Sequence, residues 1–297
     1  MSVQFAVLAS GSRGNATLVR SPGAGLLIDL GIGPRALDAR LVSVGASLER
    51  VSAALLTHTH GDHVNNFTLN TLARRNVFLY CHESHRGELD RHSGFHALDA
   101  ARLVRHYDDR PFLTAAGMSV EPLELSHDRR TFGFRVEAKP SRRGRSVAIG
   151  YMADTGCWTF GMADLLAGVD LLGVEFNHDV EMQRGSGRSW ASIKRNLGNR
   201  GHLSNRQGAD FVSAVLKRSG RGSVRHLVLL HLSRQCNLPD LAVREAKAAI
   251  RSSGRRTAVH AAQQAPAHPN LAIEPARRRS SVPDRADVAV DSGWLPF

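Results

Sequence analysis

Apolar positions fall into short runs rather than long ones. Nine runs have the length and composition of strands: residues 3–8, 26–29, 53–57, 77–80, 119–123, 132–136, 147–152, 169–175 and 224–230. Between them the spacing turns helical. Helices are predicted after Pro34, after Val64 and over residues 83–91. A stronger one opens at Ser204, where Ser204 and Gln207 have capping-box spacing and Val212, Val215 and Leu216 follow on one face. Another opens at Asn237, with Pro239 in its first turn and Ala242, Ala246, Ala249 and Ile250 on one face. Early strands followed by helices interspersed with strands predict an α/β chain in which a sheet sandwich is covered by helices. From about residue 253 the periodicity stops and Ala, Arg, Pro, Ser and Gln dominate. One domain over residues 1–252 and a disordered basic tail over residues 253–297 are therefore expected.

No run approaches the roughly 18 apolar residues that span a bilayer. Residues 5–10 lack a basic flank and run straight into Gly11 and Gly14, so they read as a first strand rather than a leader, which predicts a cytoplasmic protein without a membrane partner. Cys81, Cys157 and Cys236 are odd in number and widely spaced, which argues against a disulfide framework or a thiolate zinc site and for inert thiols. The net charge of +12 favours a polyanionic partner such as nucleic acid. Arg129, Arg130, Arg142, Arg143 and Arg145 form basic clusters able to track a phosphate backbone.

The sharpest chemistry is Thr57-His-Thr-His-Gly-Asp-His63, directly after an apolar strand. Alternate residues at a strand end aim two imidazoles one way, and Asp62 and His63 in the following turn can face a point nearby. Imidazole and carboxylate suit borderline or hard divalent ions, and an open coordination position would acidify bound water.

His58, His60, Asp62 and His63 in this order resemble the signature of the metallo-β-lactamase superfamily, which implies an αββα sandwich with a two-metal site. The resemblance implies that later residues complete the site: His127 in Leu125-Ser-His-Asp128, Asp154 in Tyr151-Met-Ala-Asp-Thr-Gly156, and His231 in Leu229-Leu-His-Leu-Ser233. By that analogy His58, His60 and His127 hold one ion, Asp62, His63 and His231 the other, and Asp154 bridges them. A hydroxide shared by the ions would attack phosphorus. Zn2+ is the first choice by ligand type, and Mn2+ is also admitted. Leu8 to Asn15, Glu175 to Met182, Gly201 to Asn205 and His231 to Asn237 further resemble the bacterial YycJ (WalJ) group, associated with exonuclease activity on DNA. Gly201-His-Leu-Ser204 is similar to the His motif of ribonuclease Z, which implies that His202 assists the leaving oxygen. Asp62 and His202 are thus the catalytic candidates, and Ser10, Asn15, His178 and His202 the candidate substrate contacts. Two other readings stay open at this point: a hydrolase of a small cyclic phosphodiester or thioester, and a non-catalytic nucleic-acid-binding protein.

Overall fold

The computed structural model describes residues 2–140 and 145–275. Two seven-stranded sheets form its centre. The first contains β1 (Val3–Ala9), β2 (Ala16–Arg20), β3 (Gly25–Ile28), β4 (Val51–Leu55), β5 (Phe78–His82) and β6 (Val104–Tyr107), with β14 (Asn270–Ile273) on the free edge of β1. The second contains β7 (Phe112–Leu113), β8 (Ser119–Leu125), β9 (Thr131–Ala138), β10 (Val147–Met152), β11 (Leu171–Glu175), β12 (His226–Leu230) and β13 (Ala258–Ala261). All nine predicted strands are present. Those that were missed, β2, β6, β7, β13 and β14, carry shorter apolar runs, of two to five residues, and are held as strands by the partners they pair with.

Burial follows the period-2 alternation of strands, and it divides the apolar residues into three layers. Val3, Phe5, Val7, Ile28 and Leu55 from one sheet meet Phe132, Phe134, Val136, Ile149 and Tyr151 from the other, between the sheets. The outer face of the first sheet is covered by α1 (Pro34–Ser43), α2 (Asn66–Arg74) and α4 (Ser93–Ala100), through Leu37, Leu41, Leu69, Leu72 and Phe95. Of the predicted helix over residues 83–91, only a turn of 3₁₀ helix and the four-residue α3 (Arg86–Leu89) form. The outer face of the second sheet is covered by α5 (Phe160–Leu165), α8 (Asn205–Arg218) and α9 (Pro239–Ser252), through Met162, Phe211, Val215, Ala242 and Ala246. The capping box of α8 forms as its sequence predicts, with Ser204 and Gln207 satisfying each other's backbone N–H. Two short helices, α6 (Val180–Arg184) and α7 (Trp190–Leu197), follow β11. The result is the expected αββα sandwich.

The expected boundary at residue 252 is corrected. β13 pairs in parallel with β12, and β14 pairs antiparallel with β1, so residues 258–273 close one edge of each sheet. Ile273 and Ala262 are buried in the central layer. Their four-residue length and the Arg-, Pro-, Ser- and Gln-rich sequence around them concealed these strands, because edge strands need only a short apolar face and a partner. Residues 276–297 of the expected tail, like Arg142 and Arg143, lie outside the described residues. No helix among the described residues is long and apolar enough to cross a membrane. The three cysteines are free and buried, and burial pushes the Cys81 thiol up to about 12.

Candidate metal centre

Strands β3, β4 and β5 run parallel in one sheet, and β10, β11 and β12 run parallel in the other. The predicted ligands leave the chain at or just past the carboxyl ends of such strands: His58, His60, Asp62 and His63 after β4, Asp154 after β10 and His231 after β12. His127 follows β8. Three residues at these strand ends hold left-handed backbone without being glycine: Asp29 (φ 63°), Asp154 (φ 57°) and His231 (φ 56°). Such conformations cost on the order of 1 kcal/mol each and persist where the surroundings fix them. Here Asp154 and His231 line one pocket, and Asp29 stands behind it against His63.

The structure brings the seven predicted ligands together. His58, His60 and His127 offer atoms within 4.8 Å of one another, and so do Asp62, His63 and His231; Asp154 groups with His58 and His63, one from each set. The hydrogen bonds fix which ring nitrogen faces inward. The Thr57 hydroxyl donates to Asp29, at 2.9 Å, so it accepts from His58 Nδ1 and leaves His58 Nε2 bare. His127 Nδ1 donates to the Gly201 carbonyl at 3.0 Å. His60 Nε2 lies 3.1 Å from Asp128, leaving Nδ1 to face His58 Nε2 at 2.9 Å. His63 Nδ1 donates to Asp29 at 2.8 Å, and its Nε2 stands 2.8 Å from Asp154 Oδ2. His231 Nδ1 faces Glu175 at 3.2 Å, and its Nε2 is buried without a hydrogen-bond partner, as is Asp154 Oδ2.

Lone pairs that face each other across 2.9 Å, beside orphaned buried acceptors, are unfavourable unless positive charge lies between them. The residues therefore fit divalent cations. Electrostatics agrees. Burial opposes ionisation of Asp154 and of Asp62, yet the neighbouring His231 and His63 hold both carboxyls below the usual range. Burial likewise opposes ionisation of Glu175, but His202 brings it down to about 2. Burial disfavours charge on His63 too, and the flanking Asp29 and Asp154 outweigh it and lift the ring to about 10.

The ligands open onto a pocket of about 280 Å³ lined by Ser12, His60, Gly61, Asp62, His127, Asp154, Arg195, His202 and His231. His202 is a pocket residue, as expected, and its Nδ1 meets Glu175 at 2.7 Å. The other expected substrate contacts are corrected. Ser10 is buried and accepts the backbone N–H of His231 at 2.7 Å. Asn15 is buried with its amide nitrogen 2.8 Å from His63 Nε2 and 3.4 Å from Asp62 Oδ2. His178 is buried, does not line the pocket, and has neither ring nitrogen bonded. The polar turn thus braces the ligands, and its neighbour Ser12 faces the pocket instead. Of the basic clusters, Arg129 is engaged by Glu88 and Thr59, and Arg130 by Glu124.

Sequence reading missed three carboxylates. Asp29 and Glu175 are wholly buried at the ends of apolar strands, a position that solvent-seeking carboxylates avoid, and that placement was the available signal. Asp128 follows His127, and its carboxylate joins His60 to Arg195.

A model of the beta-lactamase superfamily domain matches residues 25–232. The chain belongs to the metallo-β-lactamase superfamily. As a hydrolase of that superfamily it is expected to use divalent metal ions, and its cluster of His and Asp side chains is the candidate site. It is 29% identical over 243 residues to the exodeoxyribonuclease YycJ of Bacillus anthracis, covering 82% of this chain and 87% of that one. It is 28% identical over 241 residues to the exodeoxyribonuclease WalJ of Streptococcus pneumoniae, covering 80% and 85%. In fold this superfamily member is similar to the metallo-β-lactamase fold protein YhfI of Bacillus subtilis, with a TM-score of 0.62 at 16% identity over 90% of this chain and 99% of the other.

Proposed function

We infer that the protein is a two-metal phosphodiesterase acting on nucleic acid, and specifically a DNA exonuclease. The observation that carries this reading is the convergence of seven N and O ligands, five of which (His60, Asp62, His127, Asp154 and His231) line one pocket with a further histidine, His202, and an arginine, Arg195. The exodeoxyribonuclease names of the two relatives support DNA as the substrate. His58, His60 and His127 hold one ion, Asp62, His63 and His231 the other, and Asp154 serves both, with Zn2+ the first choice and Mn2+ the second for such a set. Bound divalent ions supply an acidified water and neutralise charge on phosphoryl oxygens.

The remaining chemistry belongs to the side chains. Arg195, exposed at the pocket wall, meets the phosphate as a charged hydrogen-bond donor. The Asp62 carboxylate, kept ionised and half-buried in the pocket lining, would accept a hydrogen bond from the attacking water through the oxygen it does not offer to the metal. The Glu175 carboxylate accepts a hydrogen bond from His202 Nδ1–H and fixes the ring, so that Nε2 is the atom from which the leaving oxygen is protonated. The protein works in the cytoplasm on this reading, where DNA is at hand.

The test is end-labelled single- and double-stranded DNA and RNA incubated with zinc or manganese, with products resolved by length. Mononucleotides released from one end of DNA are expected. His202→Ala should lower kcat on DNA by about 10²- to 10⁴-fold while sparing a nitrophenyl phosphodiester, whose leaving group departs without a proton. Intact DNA and RNA beside turnover of a cyclic phosphodiester or thioester would refute the reading in favour of a small-ester hydrolase. Binding of DNA by protein that takes up no metal would leave a non-catalytic binder.

A further inference from the structure

The stretch that leads into α7 and out of it is unusual in charge. Residues 184–200 contain Arg184, Arg188, Lys194, Arg195 and Arg200, and no Asp or Glu. All five are exposed or half-exposed. Arg195 reaches the pocket wall, held there by Asp128. Trp190 opens the same helix and leaves 72% of its surface in solvent. Only two other Phe, Tyr or Trp rings among the described residues are exposed, Phe67 at 71% and Phe160 at 51%, and Phe160 lies under the guanidinium of Arg218, 4.8 Å from its centre.

An indole left in water forgoes more apolar burial than any other side chain would. This one is also held at a defined place. Ile193 anchors α7 in the protein, and the Ser189 hydroxyl caps its first turn. Its far end is packed tightly onto the segment that carries His202: the His202 N–H donates to Asn196 O at 3.1 Å, and a Cβ on Gly201 would lie 2.3 Å from Arg195 O. Five residues of helix separate Trp190 from Arg195, a rise of about 7.5 Å. That is the height of about two stacked nucleotides at roughly 3.4 Å each.

We propose that Trp190 is a stacking platform for an unpaired base of a single DNA strand, whose phosphates follow the basic segment 184–200 to Arg195 and the pocket. A base inside a duplex has both faces covered by its neighbours, so an exposed indole can take only a base that is unpaired or at an end. Stacking of this kind is tolerant of sequence, because every base has a π-face. The proposal rests on the phosphodiesterase reading of the pocket, but binding measures it independently of turnover.

The experiment compares the metal-loaded protein with its Trp190→Ala and Trp190→Phe variants. Each is titrated, by fluorescence anisotropy, with a labelled phosphorothioate oligothymidylate that resists hydrolysis and with an abasic strand of the same length and backbone. The wild type should bind the thymidylate about tenfold more tightly than the abasic strand. Trp190→Ala should lose that preference with its affinity for the abasic strand unchanged, and Trp190→Phe should retain most of it. Metal content and hydrolysis of a nitrophenyl phosphodiester should match wild type in both variants. A wild type without preference for the strand that has bases, or a Trp190→Ala variant that keeps the preference, would overturn the proposal. Loss of affinity for both strands alike would also overturn it, since backbone contact and not stacking would then be at stake. If the preference behaves as expected while no nucleic acid is ever cleaved, the platform stands and the phosphodiesterase reading fails.

Discussion

Asp29 does not line the pocket, yet three protons converge on its buried carboxylate. Oδ1 accepts the Thr57 N–H and the Thr57 hydroxyl, each at 2.9 Å, and Oδ2 accepts His63 Nδ1 at 2.8 Å. Asp29→Asn is nearly isosteric, and asparagine tolerates the left-handed backbone at φ 63°, so the chain path should survive. The amide nevertheless has one acceptor oxygen where the carboxylate has two. If that oxygen keeps Thr57, the amide N–H₂ faces His63 Nδ1, which must then accept; the ring proton moves to Nε2 and blocks the atom that faces Asp154. If the oxygen turns to His63, the buried Thr57 N–H loses its acceptor, at a cost of about 1–3 kcal/mol. Either outcome weakens the ligand set. Loss of an outer partner of a metal-bound imidazole lowers affinity about 10- to 100-fold, or roughly 1.4–2.7 kcal/mol. Competition of Asp29→Asn and wild type against a zinc chelator measures this directly. Equal affinities, with the variant folded, would refute the argument that Asp29 sets the His63 tautomer.

Two further outcomes follow from the same geometry. A chain ending at residue 275 should fold and bind metal as the full chain does, whereas one ending at residue 254 should not. The longer chain keeps β13, β14 and Gln264, whose amide donates to Gly14 O at 2.9 Å and whose oxygen accepts the Arg13 N–H, bracing the turn that carries Asn15. Thermal unfolding and metal content check this, and a chain ending at residue 254 with an unchanged Tm would show that the edge strands are dispensable. His85 is buried beside Phe132, with Nε2 donating to Arg130 O and Nδ1 bonded to nothing, and burial brings its pKa down to about 4. Its unfolded value lies near 6.5, so the unfolded chain binds more protons between those limits. Its contribution is therefore whole above about pH 6.5 and falls away toward pH 4, by as much as about 3 kcal/mol. His85→Leu should flatten that part of the stability profile in denaturant titrations at a series of pH values, and an unchanged slope from pH 6.5 to 4 would contradict the assignment.

Local pattern determined a great deal here. Strands of alternating or continuous apolar residues announce themselves because their burial is set by period, and the capping box at Ser204 is complete within four residues. The ligand types were legible for a related reason: a histidine pair and an Asp-His pair within six residues, at the end of an apolar strand, have few other uses. The residues that hold those ligands were not legible in that way. Asp29 and Glu175 act on His63 and His202, 34 and 27 residues away, and their role exists only once β3 lies beside β4 and β11 beside β10 and β12. The same holds for Ser10, Asn15 and His178, whose polar character suggested contact with an anion. Packing turned the first two toward the ligands and buried the third, because a turn between paired strands must satisfy its own backbone before it can serve a substrate. The last strands show the limit most directly. Ala258–Ala261 and Asn270–Ile273 have little apolar pattern of their own, and they are strands because the free edges of β12 and β1 offer them a ladder of hydrogen bonds that only the assembled sheets possess.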